Sequence, residues 1–309
     1  MLTKLKMNLI NQNSLTLHTD NMELPKYITQ EKLQQFIRQA FSEDIGDGDH
    51  STLASIPYNV IQEAELKVKD NGVIAGIDLA KIIIDTFDPD VEFTKLLNDG
   101  DKVKYGDTAF TLKGSAQSIL SCERIILNCM QRMSGIATYA NEIVTIVEGT
   151  GTKILDTRKT TPNFRMLEKW AVKIGGAENH RFGLYDMIML KDNHIDFCGS
   201  ITQAVSKTRD YLKTNQLDLK IEVETRNIDE VREAIDLGVD VIMLDNFDIK
   251  TLEDAVKLIP QHIKSEASGN ITKETVLDIA NTGVNYISSG AIIHSAKNFD
   301  LSLKAVKKY

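Results

Sequence analysis

The sequence predicts an α/β barrel preceded by a compact α+β module, and three observations carry that prediction. Strand-like and helix-like segments alternate at least six times from Thr152 onward, the mark of parallel βαβ units. No Gly-x-Gly-x-x-Gly follows any of those strands, which argues for a barrel over a dinucleotide-binding sheet. Nearly every predicted strand ends in polar or charged residues that a buried strand would not otherwise choose. Catalytic groups gather at such ends in α/β barrels.

In chain order, residues 1–23 are polar and Asn-rich and read as a loose tail, without the apolar core of a signal peptide or the Arg-rich character of a transit peptide. The α+β module covers 24–121. Its first helix follows Thr29, with Leu33, Phe36, Ile37 and Ala40 as the apolar stripe. Glu43–Thr52 (EDIGDGDHST) reads as a Gly/Asp-rich loop. Ala64–Lys69 alternates with period two, Asp70-Asn71-Gly72 turns, and Ile77–Phe87 is a helix. Asn98–Asp101 and Tyr105–Asp107 punctuate hairpins. A long helix over Ala116–Val147, with Ile119, Cys122, Ile126, Met130, Met133, Ala137 and Val144 on one stripe, leads into a barrel domain over 122–290.

The barrel strand cores are Lys153–Asp156, Met187–Leu190, Leu219–Val223, Val239–Leu244, His262–Glu266 and Val284–Ser288. Amphipathic helices separate them, one opened by Asn227-x-x-Glu230 in capping-box style and stopped at Gly238. Residues 291–309 read as a C-terminal helix packing back toward the first module.

The chain has 309 residues, 36 Lys+Arg against 44 Asp+Glu and a formal charge of −8. That acidity excludes a general nucleic-acid or anionic-membrane binder. No uncharged run approaches the roughly 20 apolar residues of a membrane span. Three cysteines without a Cys-x-x-Cys exclude a disulfide scaffold and most zinc sites. Cys122 and Cys129, about 10 Å apart along one helix, are too distant to bridge, and a reducing, cytoplasmic setting is expected.

Against this background, residues 158–194 hold seven Lys/Arg and four acids. Thr161-Pro162 is expected to cap a helix whose Phe164, Leu167, Ala171 and Ile174 face inward. Arg165, Lys169 and Lys173 recur every four residues and read as a solvated stripe. Arg158, Lys159, His180, Arg181 and Lys191 flank strand ends or the Gly175-Gly176 stop and can line a pocket for a small polyanion. His180 is equally a neutral hydrogen-bonding histidine. Ser268-Gly269-Asn270 and Ser289-Gly290-Ala291, after the last two strands, suit phosphate, because glycine lets backbone N–H groups approach an anion. Glu224 and Asp245 point to Mg²⁺, which takes one or two carboxylates plus phosphate oxygens. Glu222 shares a strand face with Glu224, but Glu224 lies nearer the mouth, and one of the two can simply pair with a cation.

At these residues the sequence resembles the quinolinate phosphoribosyltransferase family. The resemblance is carried by Glu123-Arg124…Leu127-Asn128, Ser134–Thr138, Asp156–Pro162 (DTRKTTP), Gly175-Gly176…Asn179-His180-Arg181 and Leu190–His194 (LKDNH). Glu222-Val223-Glu224, Leu244–Phe247 (LDNF), Glu266–Gly269, Ser289-Gly290-Ala291 and the Glu43–Thr52 signature continue it. Asn163 stands where glycine is usual, tolerable because Asn accepts left-handed angles; Ala177 replaces a glycine and Trp170 a tyrosine.

The resemblance implies an incomplete, seven-stranded α/β barrel with an N-terminal α+β sandwich-like domain, assembled as a homodimer or higher homo-oligomer with shared sites. It implies that quinolinate is held by Arg158, His180, Arg181 and Lys191, with Arg124 supplied by a neighbouring subunit. Thr157, Lys159, Glu224, Asp245 and the two Ser-Gly loops are implied for phosphoribosyl pyrophosphate, with Mg²⁺ at Glu224 and Asp245. The catalytic set is then Lys159, Lys191, Glu224 and Asp245, and the reaction a decarboxylating phosphoribosyl transfer giving nicotinate mononucleotide. Two rivals stay open on the residues alone: a Schiff-base aldolase-type barrel using Lys191 as nucleophile, and a non-catalytic binder of an anionic metabolite.

Overall fold

The computed structural model describes residues 24–306; the predicted tail and the last three residues lie outside them. Two compact units form. One comprises residues 24–138, Met166–Gly175 and 296–306; the other comprises Tyr139–Arg165 and Gly176–Ser295.

Helix α1 (Gln30–Ile45) starts where Thr29 Oγ1 accepts the Lys32 N–H, and it buries Leu33, Ile37, Phe41 and Ile45. The expected loop over 43–52 is largely helical. Its first residues complete α1, and Asp49, accepting the Thr52 N–H at 3.0 Å, caps a short α2 (His50–Ser55). An Asp three residues ahead of a Thr is a cap signal that the surrounding glycines obscured. Strands β1 (Ile61–Val68) and β2 (Gly72–Val73) follow, then α3 (Ile77–Phe87), buried on nearly every face. Next come β3 (Glu92–Lys95), β4 (Lys102–Val103), β5 (Thr108–Ser115) and the long α4 (Ala116–Ile146). Ile119, Cys122, Ile126, Met130, Met133 and Ala137 of α4 are buried as their spacing requires.

The second unit contributes β6 (Lys153–Leu155). Helix α5 (Arg165–Ile174) begins three residues beyond the expected Thr161-Pro162 cap, because a turn with Asn163 at φ 63° intervenes. Its cations do not form a solvated stripe. Glu168 and Lys169 are fully buried with Leu167 and Ala171, so α5 is covered on more than one face. Glu168 accepts two hydrogen bonds from the Arg132 guanidinium, at 3.0 and 2.8 Å.

Then come β7 (Ile188–Leu190), α6 (Asp192–Cys198), α7 (Ile201–Asn215), β8 (Ile221–Thr225), α8 (Ile228–Asp236) and β9 (Val241–Asp245). Helix α9 (Ile249–Leu258), β10 (Lys264–Ser268), α10 (Val276–Asn281) and β11 (Tyr286–Ser288) complete the alternation. Asn227 caps α8 by accepting the Glu230 N–H. The strand expected over His262–Glu266 runs two residues later, because a Pro260–Ile263 turn occupies its start.

The sheet of this unit is parallel, in the order β6-β11-β10-β9-β8-β7. Six strands stand where seven were expected. The seventh place holds one parallel bridge, Leu155↔Glu178, beside β6. Segment 177–179 is too short for a ladder before the chain turns into the His180 loop.

The C-terminal segment is not the expected helix. One turn, α11 (Ala291–His294), precedes strand β12 (Leu301–Ala305), and Leu301-Ser302-Leu303 alternates with the period of a strand. β12 pairs antiparallel with β1 from Val68↔Leu301 to Ala64↔Ala305 and forms the edge of the sheet β12-β1-β5-β3. None of the described helices is long and apolar enough to cross a membrane.

Candidate active site

The C-terminal ends of the parallel strands surround a cavity of about 930 Å³. Each strand end brings its predicted residues: Thr157, Arg158 and Lys159 after β6, Lys191 after β7, Glu224 on β8 and Asp245 on β9. Ser268, Gly269 and Asn270 follow from β10, Ser289, Gly290 and Ala291 from β11, and His180 and Arg181 from the loop after Glu178. The structure therefore gathers every sequence-predicted site residue except Arg124, which is exposed on α4 in the other unit.

Local hydrogen bonds explain why these motifs hold their shape. Asp156, fully buried, accepts the His180 N–H at 2.8 Å and an Asn179 side-chain N–H at 2.7 Å, so the end of β6 fixes the His180 loop. Arg165 donates to Thr160 Oγ1 and to the Phe182 carbonyl, stapling the loops on either side of α5. The His194 ring accepts the Lys191 N–H at 3.0 Å and sets the backbone from which Lys191 projects.

The electrostatics are those of a divided site. On one side, Arg158 and Arg181 share the cavity, and Arg158 Nε is buried with no hydrogen-bond partner. Burial, followed by the Arg158 charge, holds the Arg181 guanidinium below its ordinary range. On the other side Glu224, 8% exposed, meets the Lys191 ammonium at 3.5 Å, and Asp245 accepts from the Asn246 side chain at 2.8 Å. Two carboxylates at neighbouring strand ends form a hard-oxygen donor set of the kind Mg²⁺ takes alongside phosphate.

The two Ser-Gly steps bring small residues to the cavity wall. Gly269 has φ 99°, and a Cβ there would lie 2.1 Å from Asn246 Oδ1. A Cβ on Gly290 would lie 2.8 Å from Lys159 Cδ, so the Lys159 stem runs across that loop. The positive φ of Gly269 favours glycine, a methyl on Gly290 would crowd the Lys159 stem, and glycine lets backbone approach phosphate oxygens closely.

One cluster lay outside the sequence prediction. His180 Nε2 is 3.1 Å from Glu222 Oε2 and 3.2 Å from Glu266 Oε2, and both carboxylates are essentially inaccessible. Burial, then the neighbouring Glu266 charge, pushes the Glu222 carboxyl up to about 7. Burial lowers the His180 value, but the two carboxylates overcome it and raise it to about 10. Against an imidazolium, however, Nδ1 accepts the Arg181 N–H at 2.7 Å, which a protonated Nδ1 cannot do. That contact fixes a neutral ring with its proton on Nε2. Of the two glutamates it is Glu224 that meets a cation, Lys191, whereas Glu222 lies against the neutral His180 ring. The available signal for Glu266 was its position two residues before Ser268 on the same strand face, matching Glu222 before Glu224.

The chain matches the family descriptions "Quinolinate phosphoribosyl transferase, N-terminal domain" over residues 49–134 and "C-terminal domain" over 136–304. It is 42% identical over 315 residues to mitochondrial quinolinate phosphoribosyltransferase [decarboxylating] 2b of Nicotiana tabacum, covering 97% of this chain and 89% of that protein. It is 45% identical to a probable nicotinate-nucleotide pyrophosphorylase [carboxylating] of Bacillus subtilis, covering 88% and 93%. Among solved structures it is similar to NadC from Streptococcus pyogenes, with TM-score 0.85, 38% identity, and 91% and 99% coverage.

Proposed function

This chain belongs to the quinolinate phosphoribosyltransferase family, and from that premise we propose how its cavity carries out decarboxylating phosphoribosyl transfer to quinolinate in NAD biosynthesis. The observation that carries the reading is the buried, partnerless Arg158 Nε beside Arg181, in one cavity with two carboxylates and two Ser-Gly loops. Two neighbouring guanidiniums, whose repulsion the Glu222 and Asp186 charges only partly offset, favour an anion, and a dicarboxylate can meet both.

Arg158, Arg181 and Lys191 hold the quinolinate carboxylates. Lys159 and the Ser268–Asn270 and Ser289–Ala291 loops take the phosphate and pyrophosphate oxygens of phosphoribosyl pyrophosphate. Glu224 and Asp245 would hold Mg²⁺ and orient ribose hydroxyls; bound there, the ion neutralises charge developing on pyrophosphate. The pyridine nitrogen attacks C1 of ribose as the C1–O bond breaks, and the bonding pair leaves with pyrophosphate beside the Lys159 ammonium. The ring nitrogen becomes cationic. The bond from C2 to its carboxyl group then breaks, CO₂ departs, and C2 keeps the electron pair until a proton arrives.

We further read the six strands and the Leu155↔Glu178 bridge as an incomplete seven-position barrel, and place Arg124 of a second copy at the quinolinate pocket of the first. None of the three cysteines is in a disulfide, which fits a reducing compartment such as the cytoplasm.

Incubation with quinolinate, phosphoribosyl pyrophosphate and Mg²⁺ is expected to yield nicotinate mononucleotide and CO₂, and nicotinate as acceptor is expected to yield no product. Borohydride trapping of substrate on Lys191 without nucleotide formation would overturn the reading.

A further inference from the structure

His180, Arg181 and Glu266 line the cavity described above and also a second one, of about 380 Å³, at the opposite ends of the same strands. Between the two, His180, Glu222 and Glu266 bring three ligand-type atoms within 4.8 Å of one another. That spacing suits a metal ion, but the hydrogen bonds do not. An ion on Nε2 would require the ring proton on Nδ1, and Nδ1 is already the acceptor of the Arg181 N–H. The ring proton therefore lies on Nε2, between the two carboxylates.

The cluster is also poorly arranged for stability. Glu222 is fully buried and Glu266 1% exposed; both oxygens of Glu222 and Oε1 of Glu266 have no hydrogen-bond partner, so Glu222 acts on the ring through its charge at 3.1 Å. Buried carboxylates left partly unsatisfied cost stability and do not supply it. Their effect is on orientation. They draw the imidazole edge inward, its other nitrogen engages the next peptide N–H, and Asp156 grips the peptide on the other side. Both ring nitrogens are thus taken by the protein. Arg181, held at the Met187 carbonyl by a 3.1 Å hydrogen bond, is the next residue in the chain.

We infer that Glu222 and Glu266 are positioning residues for the anion pocket: they lock His180 with its proton on Nε2, and through the His180–Arg181 peptide they set the Arg181 guanidinium beside Arg158. On this reading, which rests on the proposed quinolinate site, His180 meets the substrate through ring carbons, and the two arginines and Lys191 make the polar contacts.

Two measurements test it. In protein labelled with ¹⁵N-histidine, whose six histidines give few signals, His180 is expected to show a protonated Nε2 and an unprotonated Nδ1 at neutral pH. Glu266→Gln and Glu222→Gln are expected to raise KM for quinolinate roughly 10-fold, because a displaced guanidinium misplaces the substrate. KM for phosphoribosyl pyrophosphate should stay within about twofold, since that pocket is left intact. The melting temperature should hold or rise, the outcome opposite to that of a stabilising pair. An imidazolium or an Nδ1–H tautomer in the wild-type protein would overturn the inference, as would an unchanged quinolinate KM in both variants. Absence of quinolinate turnover by the wild-type protein would sink the proposed function alone, because the ring tautomer is read without substrate.

Discussion

Lys191 Nζ lies 3.5 Å from Glu224 Oε2, tying the ends of two adjacent parallel strands, β7 and β8, across the cavity. The pair joins the cationic half of the site to its acidic half. Removing the ammonium leaves a carboxylate that is 8% exposed without that partner.

Lys191→Ala and Arg158→Ala are therefore expected to lower kcat/KM for quinolinate by roughly 10- to 100-fold each, the range for losing a hydrogen bond to a charged group. Steady-state kinetics with each substrate varied in turn should show the loss mainly in the quinolinate term for Arg158→Ala. Unchanged quinolinate kinetics in both variants would remove this pocket from the mechanism.

Gly269→Ala places a methyl group where Asn246 Oδ1 stands, on a backbone at φ 99°. The loop must shift, and KM for phosphoribosyl pyrophosphate is expected to rise about 10-fold with a smaller change for quinolinate, as a roughly 1 Å displacement of a binding group implies. Inhibition by pyrophosphate, measured alongside, should weaken in parallel.

Chelation by EDTA is expected to abolish turnover, with recovery on adding Mg²⁺. Glu224→Gln combined with Asp245→Asn should remove that recovery while quinolinate binding, followed by calorimetry, persists. Full activity in excess chelator would rule out the Mg²⁺ assignment.

Arg132 and Glu168 form a pair in which the acid is fully buried and the arginine mostly so. Arg132→Met removes two charge-assisted hydrogen bonds from a buried carboxylate, so it is expected to destabilise the protein by roughly 3 kcal/mol in urea unfolding. Replacing both residues with apolar ones should cost much less.

Asp99 accepts the N–H groups of Ile77 and Asp78 at the start of α3, and burial pushes its carboxyl from 3.8 up to about 6. The folded protein then binds the proton more tightly than the unfolded chain does. This group's contribution is greatest below about 4, falls as pH rises to about 6 and is level above that. The stability of the wild-type protein relative to Asp99→Asn should decline over that interval. A flat difference would show that the charge is already accommodated.

Strand ends were legible because polar residues such as Arg158, Lys191 and Asp245 break the apolar run of a buried strand, and that violation is visible in sequence. The left-handed conformation of Asn163 was legible for a similar reason, since few residues accept it. The His180–Glu222–Glu266 contact was not: it joins two strands and a loop far apart in the chain, and only tertiary packing aims them together. Lys169 misled because periodicity identifies a helix face but not what covers it. The C-terminal strand was not legible because Leu301 and Leu303 alternate over only three residues, too short a run to separate strand from helix.

The pairing of β12 with β1 has a consequence for synthesis of the chain. Until residues 301–305 leave the ribosome, Ala64–Val68 present an open ladder of N–H and C=O groups, an edge that invites pairing with another nascent chain. The N-terminal sheet is thus begun early but closed only after the whole second unit has been made, and a chain cut before residue 298 would keep that edge exposed.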